Sequence, residues 1–203
     1  MKTLKLSILG VIACVMITLT MSSCGYNQLQ SLDEEVKASW SEVQNQYQRR
    51  SDLIPNLVEI VKGAAKQERE TLTAVMEARA KATQITLKAD DLSDPNQMKR
   101  FQEAQGGLTQ ALSRLMVVTE NYPDLKTNQN FRDLQAQLEG TENRIAVARN
   151  RYISTLAEYN KGVRFFPTNL TAKFLLGLKE KESFQAEEGA KVAPKINFND
   201  AHK

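Results

Sequence analysis

From Leu32 onward, apolar residues recur every three or four positions: Val36, Trp40, Val43 and Tyr47, then Ile54, Val58, Val61 and Ala65, then Leu72, Val75, Ala78 and Ala82. This is the stripe of an amphipathic helix with nearly heptad spacing. Two features interrupt it. Asp52-Leu53-Ile54-Pro55 has the form of a helix start, with Asp52 as cap and Pro55 in the first turn, where its missing N–H costs little. Gly63 has the form of a helix end. The chain therefore turns either near Ser51–Asp52 or near Gly63–Lys66. The second is favoured, because it makes the first helix similar in length to the last.

Asp90-Asp91-Leu92-Ser93-Asp94-Pro95-Asn96 is dense in turn residues and marks a loop. A third helix is predicted from about Asn96 to Glu120, with Phe101, Ala104, Leu108, Ala111, Leu112, Leu115 and Val118 on its apolar face. It contains Gly106-Gly107, explained by close helix packing or by a kink. After a turn at Asn121–Asp124, a fourth helix is predicted from about Thr127 to Lys161, striped by Phe131, Leu134, Leu138, Ile145, Ala148, Tyr152, Leu156 and Tyr159. Four long amphipathic segments with short connections predict an all-α fold, an antiparallel up-and-down four-helix bundle. Phe165-Phe166-Pro167 then breaks the helix, and Thr168 or Asn169 caps a short extra C-terminal one carrying Leu170, Phe174, Leu175 and Leu178. That piece is expected to dock over one end of the bundle. The sharper alternative is a helix lying on a membrane, since Lys173, Lys179 and Lys181 flank its apolar face.

The N-terminus has a pattern of its own. Lys2 and Lys5 precede an apolar run from Leu6 to Leu19, then the small pair Ser22–Ser23, then Cys24. As a helix the run spans roughly 21 Å, against a bilayer core of about 30 Å. Its length and basic flank suit a signal peptide rather than a transmembrane span. The layout is that of a bacterial lipoprotein signal, cut before Cys24 with the lipid on Cys24. Met21 departs from it, standing where such signals usually carry Leu. A retained N-terminal membrane helix is the alternative, with Thr18 to Ser23 extending the span. The expected organisation is a signal peptide over 1–23, a helical bundle over 24–178 and a flexible tail over 179–203.

Composition narrows the chemistry. Removing the two signal lysines from 27 basic residues leaves 25 against 24 acidic ones, a net charge of +1, which argues against nucleic acid as a partner. The only cysteines are Cys14 and Cys24, so after processing and acylation no thiol is free for catalysis or a disulfide.

Several stretches resemble the LemA family of bacterial envelope proteins. They are Tyr26-Asn27 with Leu29, Val36, Trp40 and Val43; Arg49-Arg50-Ser51-Asp52-Leu53-Ile54-Pro55-Asn56-Leu57-Val58, running on to Gly63; and Leu138-Glu139-Gly140-Thr141-Glu142-Asn143-Arg144-Ile145-Ala146-Val147-Ala148-Arg149, with Tyr152 and Tyr159-Asn160. Phe166-Pro167, Phe174, Phe184 and Pro194-Lys195-Ile196-Asn197-Phe198 complete them. The resemblance implies a four-helix bundle outside the cytoplasmic membrane, and some relatives in specialised membrane compartments. Most relatives carry an N-terminal transmembrane helix, where this chain has a lipoprotein-like signal. No reaction is implied.

No catalytic constellation stands out. The lone histidine, His202, lies near the C-terminus, and there is no Glu-x-x-His of the kind di-iron bundles use. An all-carboxylate metal site would need facing acids such as Glu68 and Glu142. No metal and no cofactor are expected. Polar residues crowd two places: Arg49, Arg50, Asp52 and Asn56 around one turn, and Glu142 with Arg149 one heptad apart on the last helix. They form either a structural network that fixes helix register or a binding groove. The function expected is a non-enzymatic, membrane-anchored interaction or scaffold protein of the cell envelope, with an envelope protein as partner and homo-oligomerisation left open. The alternatives are a binding protein for a small ligand, peptide or cell-wall fragment and, less favoured, an envelope hydrolase.

Overall fold

A computed structural model describes the backbone of residues 2–185 and the side chains of residues 25–185. The described chain is all helix, turns and loops, built as an antiparallel four-helix bundle with a short extra helix at its C-terminal end. Helix α1 runs from Lys2 to Ala64, unbroken through the apolar run and Cys24. Helix α2 spans Arg69–Gln84, α3 Pro95–Thr119, α4 Pro123–Thr127 and α5 Gln129–Arg164. A three-residue helix, α6 (Thr168–Leu170), continues as a π-helical turn over Thr171–Leu176. The first turn falls after Ala64, at the second of the two expected places. Asp52 and Pro55 are therefore interior to α1.

Helices α1 and α5 form one long antiparallel pair. Glu42 meets Arg151 at 3.1 Å and Arg50 meets Glu142 at 2.9 Å. Further along, an added Cβ on Gly162 would lie 3.1 Å from Leu29 Cδ2, so glycine permits close approach there. At Gly107, by contrast, a Cβ would meet nothing within 4 Å, so close packing does not explain that glycine.

The shorter α2 and α3 pack together against one half of this pair. Ile54, Leu57, Val61, Leu72, Val75, Leu108, Leu115 and Phe131 make the four-helix core there. In the other half α2 has ended. Its place is taken by Leu87, Leu92 and Phe184, which pack with Val36, Trp40, Phe101, Tyr152 and Tyr159. Trp40 Nε1 donates to the Leu87 carbonyl at 2.8 Å, fixing the α2–α3 connection on α1.

Two helix starts are capped by side chains. Asp94 accepts from the Asn96 amide at 2.9 Å, with Pro95 in the first turn of α3. Asn128 accepts from the Asn130 amide at 2.9 Å at the start of α5.

Pro55 removes one hydrogen bond from the middle of α1, because it has no N–H to give the Ser51 carbonyl. Arg79 of α2 replaces it: its Nε donates to the Ser51 carbonyl oxygen at 2.8 Å. The α1–α2 pairing is thereby written into the backbone defect. Arg79→Ala is expected to cost about 1–3 kcal/mol by leaving that carbonyl unpaired. Adding Pro55→Ala should recover much of the loss, since an alanine at that position supplies the missing amide. Thermal melts of the single and double variants check both statements.

The segment expected to open a flexible tail is, over residues 179–185, fastened to the bundle. Asn160 Nδ2 donates to the Lys181 carbonyl, and the Lys181 amide donates back to Asn160 Oδ1, both at 3.0 Å. Tyr152 Oη donates to the Glu182 carbonyl at 2.8 Å and Tyr159 Oη to the Lys179 carbonyl at 3.0 Å. The rest of the expected tail lies outside the described residues.

Candidate functional site

The polar residues named from sequence do not form one cluster. Arg50 is buried to 1 % exposure, at the level where the two apolar cores meet. Its Nη1 donates to Glu142 Oε1 of α5 and to Thr109 Oγ1 of α3, both at 2.9 Å. Its Nη2 donates to Gln105 Oε1 of α3 at 2.6 Å. Gln105 Nε2 in turn donates to the Ala82 carbonyl near the end of α2 at 3.2 Å. One guanidinium thus ties together all four long helices. Tyr47 covers it, with the Arg50 carbon 5.1 Å from the ring centroid. Burial pushes the Tyr47 phenol up, against the downward pull of Arg149 and Arg50.

Arg149 is separate from the Glu142 pair. It is half-buried and lies over the Phe184 ring at 4.3 Å. Arg49, Asp52 and Asn56 are exposed on α1, and Asp52 accepts only a local bond from Gln48 at 2.7 Å. The facing acids considered for a metal do not meet: Glu68 accepts from Tyr122 Oη at the far turn, while Glu142 is engaged by Arg50. Among the described residues no group of three or more His, Cys, Asp or Glu side chains is placed to hold a metal ion.

Asp33, Gln105 and Thr141 are among the buried polar residues that the sequence pattern did not single out. Asp33 is buried and pairs with Lys181, in a C-terminal strap formed by residues 178–185, and also binds Lys37 at 2.8 Å. Burial raises the Asp33 carboxyl, but the hydrogen bonds and charges of Lys181 and Lys37 outweigh it and hold the group below the usual carboxylate range. Beside the Arg50 network lies a groove of about 310 Å³, lined among others by Gln44, Tyr47, Ser51, Thr83, Phe101 and Gln105. Among the described residues the Ser51 hydroxyl and Arg50 Nε are buried without a hydrogen-bond partner.

The family model for LemA matches residues 39–198, which takes in the Arg50 network and the strap. The chain belongs to the LemA family. Among LemA-family relatives, the magnetosome proteins MamQ 1 and MamQ 2 of Paramagnetospirillum magneticum are each 29% identical to it over 196 residues, covering 89% of this chain and 70% of theirs. MamQ of Magnetospirillum gryphiswaldense is 26% identical over 197 residues, covering 89% and 71%. In this LemA-family chain the Arg50 network lies at the waist of the bundle, the level where its two apolar cores meet. The buried Arg50 guanidinium links four helices, and the groove lined by Gln44, Tyr47 and Gln105 adjoins it.

Proposed function

We propose that this protein is a membrane-tethered, non-catalytic helical bundle that presents its surface to other proteins of the bacterial cell envelope. Family membership and the magnetosome relatives support a membrane-associated envelope protein of non-catalytic type. The observation that carries the finer reading is the continuity of α1. One helix runs from Lys2 through Cys24 to Ala64, so whatever holds its start to a membrane also orients the bundle. The tether is a lipid on Cys24 after removal of residues 1–23. A retained membrane helix is the other form of the same tether. Among the described residues no helix is long and apolar enough to cross a membrane.

Intact-mass measurement of the protein isolated from membranes tests the tether. Loss of residues 1–23 with a lipid-sized gain is the expected result, and an unmodified full-length mass rules the lipid out. Crosslinking in intact cells tests the interaction role. One envelope protein recovered reproducibly is expected, and its capture should be lost when the bundle surface is changed. Repeated recovery of no protein would argue strongly against it.

The groove beside Arg50 favours a second reading, a binding site for a short peptide or wall fragment, because the Ser51 hydroxyl beside it has no partner among the described residues. A thermal-shift screen with such fragments distinguishes the two readings. Saturable stabilisation that Gln105→Ala removes would favour the groove.

A further inference from the structure

Among the described residues, half of the exposed large apolar side chains fall within Phe165–Leu175, at the end of the bundle nearest Cys24. Phe165 is 62% exposed, Phe166 79%, Leu170 50%, Phe174 75% and Leu175 66%. The short helix and π-helical turn were expected to hide such a face against the bundle. They do dock, but through Thr171 and Ala172, which are buried, and through Thr168, whose hydroxyl donates to the Gly162 carbonyl at 2.7 Å. The aromatic and leucine side chains are turned outward. Five large apolar groups exposed within eleven residues make a concentration of apolar surface of the kind that marks a contact surface in a soluble domain.

The position of the patch identifies what it meets. An added Cβ on Gly25 would lie 3.3 Å from the Thr168 methyl and 3.8 Å from Thr171 Oγ1, so this cap is seated directly against the residue after Cys24. Exposed basic residues accompany it: Lys173 and Lys179, with Lys161 and Arg164, which pair with Glu158 at 2.7 Å and Glu180 at 3.5 Å. Lys173 Nζ stands 5.9 Å from the Phe174 ring centroid, with an apolar stem along the patch and a charged tip beside it. An apolar face accompanied by lysine and arginine is the chemistry of a segment lying in a lipid headgroup layer.

We propose that the cap formed by Phe165–Leu175 lies in the outer face of the same bilayer that holds the N-terminus. There it acts as a second contact that sets the bundle upright. The proposal rests on the tethering read above, and the two are separable by experiment. The full chain is reconstituted into vesicles of phosphatidylcholine and phosphatidylglycerol, some made with bromine on the acyl chains. Phe174→Trp places a reporter in the cap, and Val147→Trp places one on an exposed site midway along α5. Trp40 is 1% exposed, and its emission is subtracted using the parent protein.

In vesicle-bound protein the residue-174 reporter should be quenched by brominated lipid at least three-fold more strongly than the residue-147 reporter. It should also be shielded from aqueous iodide. Equal quenching at both sites, with the protein still floating on vesicles, overturns the cap contact and leaves the tether standing. Protein that does not float with vesicles overturns both. A residue-174 reporter shielded from iodide yet unquenched by brominated lipid assigns the patch to a protein surface and overturns the proposal.

Discussion

Glu142→Ala is expected to lower the melting temperature by roughly 6–12 °C, and Arg50→Met by clearly less. The asymmetry follows from burial. Arg50 is 1% exposed, whereas the Glu142 side chain keeps 42% of its surface in water. Removing the carboxylate strands a guanidinium in the core with only Thr109 and Gln105 as neutral partners. Breaking a buried pair from the side that leaves the charge inside costs about 3–5 kcal/mol, and the low end applies here because the lost partner was already partly solvated. For a chain of this size each kcal/mol moves the midpoint by roughly 2–4 °C. Arg50→Met removes the charge itself and fills most of its volume. The carboxylate then turns to water, and the main loss is the bond to Gln105 Oε1. The double variant should therefore melt near Arg50→Met alone, well above Glu142→Ala. Equal losses from the two single variants would mean that the charge is not what the waist is built around.

The helices were readable because their apolar stripes run without ambiguity over many turns. The predicted third helix, from about Asn96 to Glu120, differs from the observed Pro95–Thr119 by a residue at each end. The first turn was harder. Asp52 and Pro55 mimic a helix start, and only Arg79, distant in sequence, makes the proline tolerable inside α1. The polar network was half legible. Arg50 continues the stripe Val43, Tyr47, Ile54, while Arg49 falls on the opposite face, so position alone separates the buried residue from the exposed one. The same rule finds the residues that were missed. Asp33 sits on the stripe Leu29, Val36, Trp40; Gln105 lies between Phe101 and Leu108; Thr141 lies between Leu138 and Ile145. All three are buried. A polar residue on an apolar stripe signals a buried partner, but it does not name that partner. Lys181 lies in an irregular segment with no periodicity to betray it, so its pairing with Asp33 came only from the fold.

A chain ending at Gly177 is expected to be so much less stable than one ending at Gln185 that it no longer melts cooperatively above room temperature. The difference between the two is the strap alone. It supplies Phe184, whose ring centroid lies 5.9 Å from that of Trp40 and 5.6 Å from that of Tyr152. Losing a phenylalanine side chain from a fully packed core costs about 3–5 kcal/mol, somewhat less for a half-buried one. The strap also satisfies Tyr152, Tyr159 and Asn160, each worth about 1 kcal/mol net. Lys181 is the partner that lets Asp33 remain ionised while buried. These losses together rival the roughly 5–15 kcal/mol that holds a typical domain folded. Asp33 gives the strap a pH signature. Its folded pKa lies below the unfolded value of about 3.9, so its contribution is fully present above that pH and is lost as pH falls through the folded value. Asp33→Asn should therefore be much less stable than the parent at pH 7. The gap should hold at neutral pH and narrow only as the melt is taken below about 4, towards the lowered folded-state value at which the parent's own carboxylate takes up its proton. A gap that stays constant across that range would show that the aspartate is held by its shape, and that Lys181 contributes packing rather than charge.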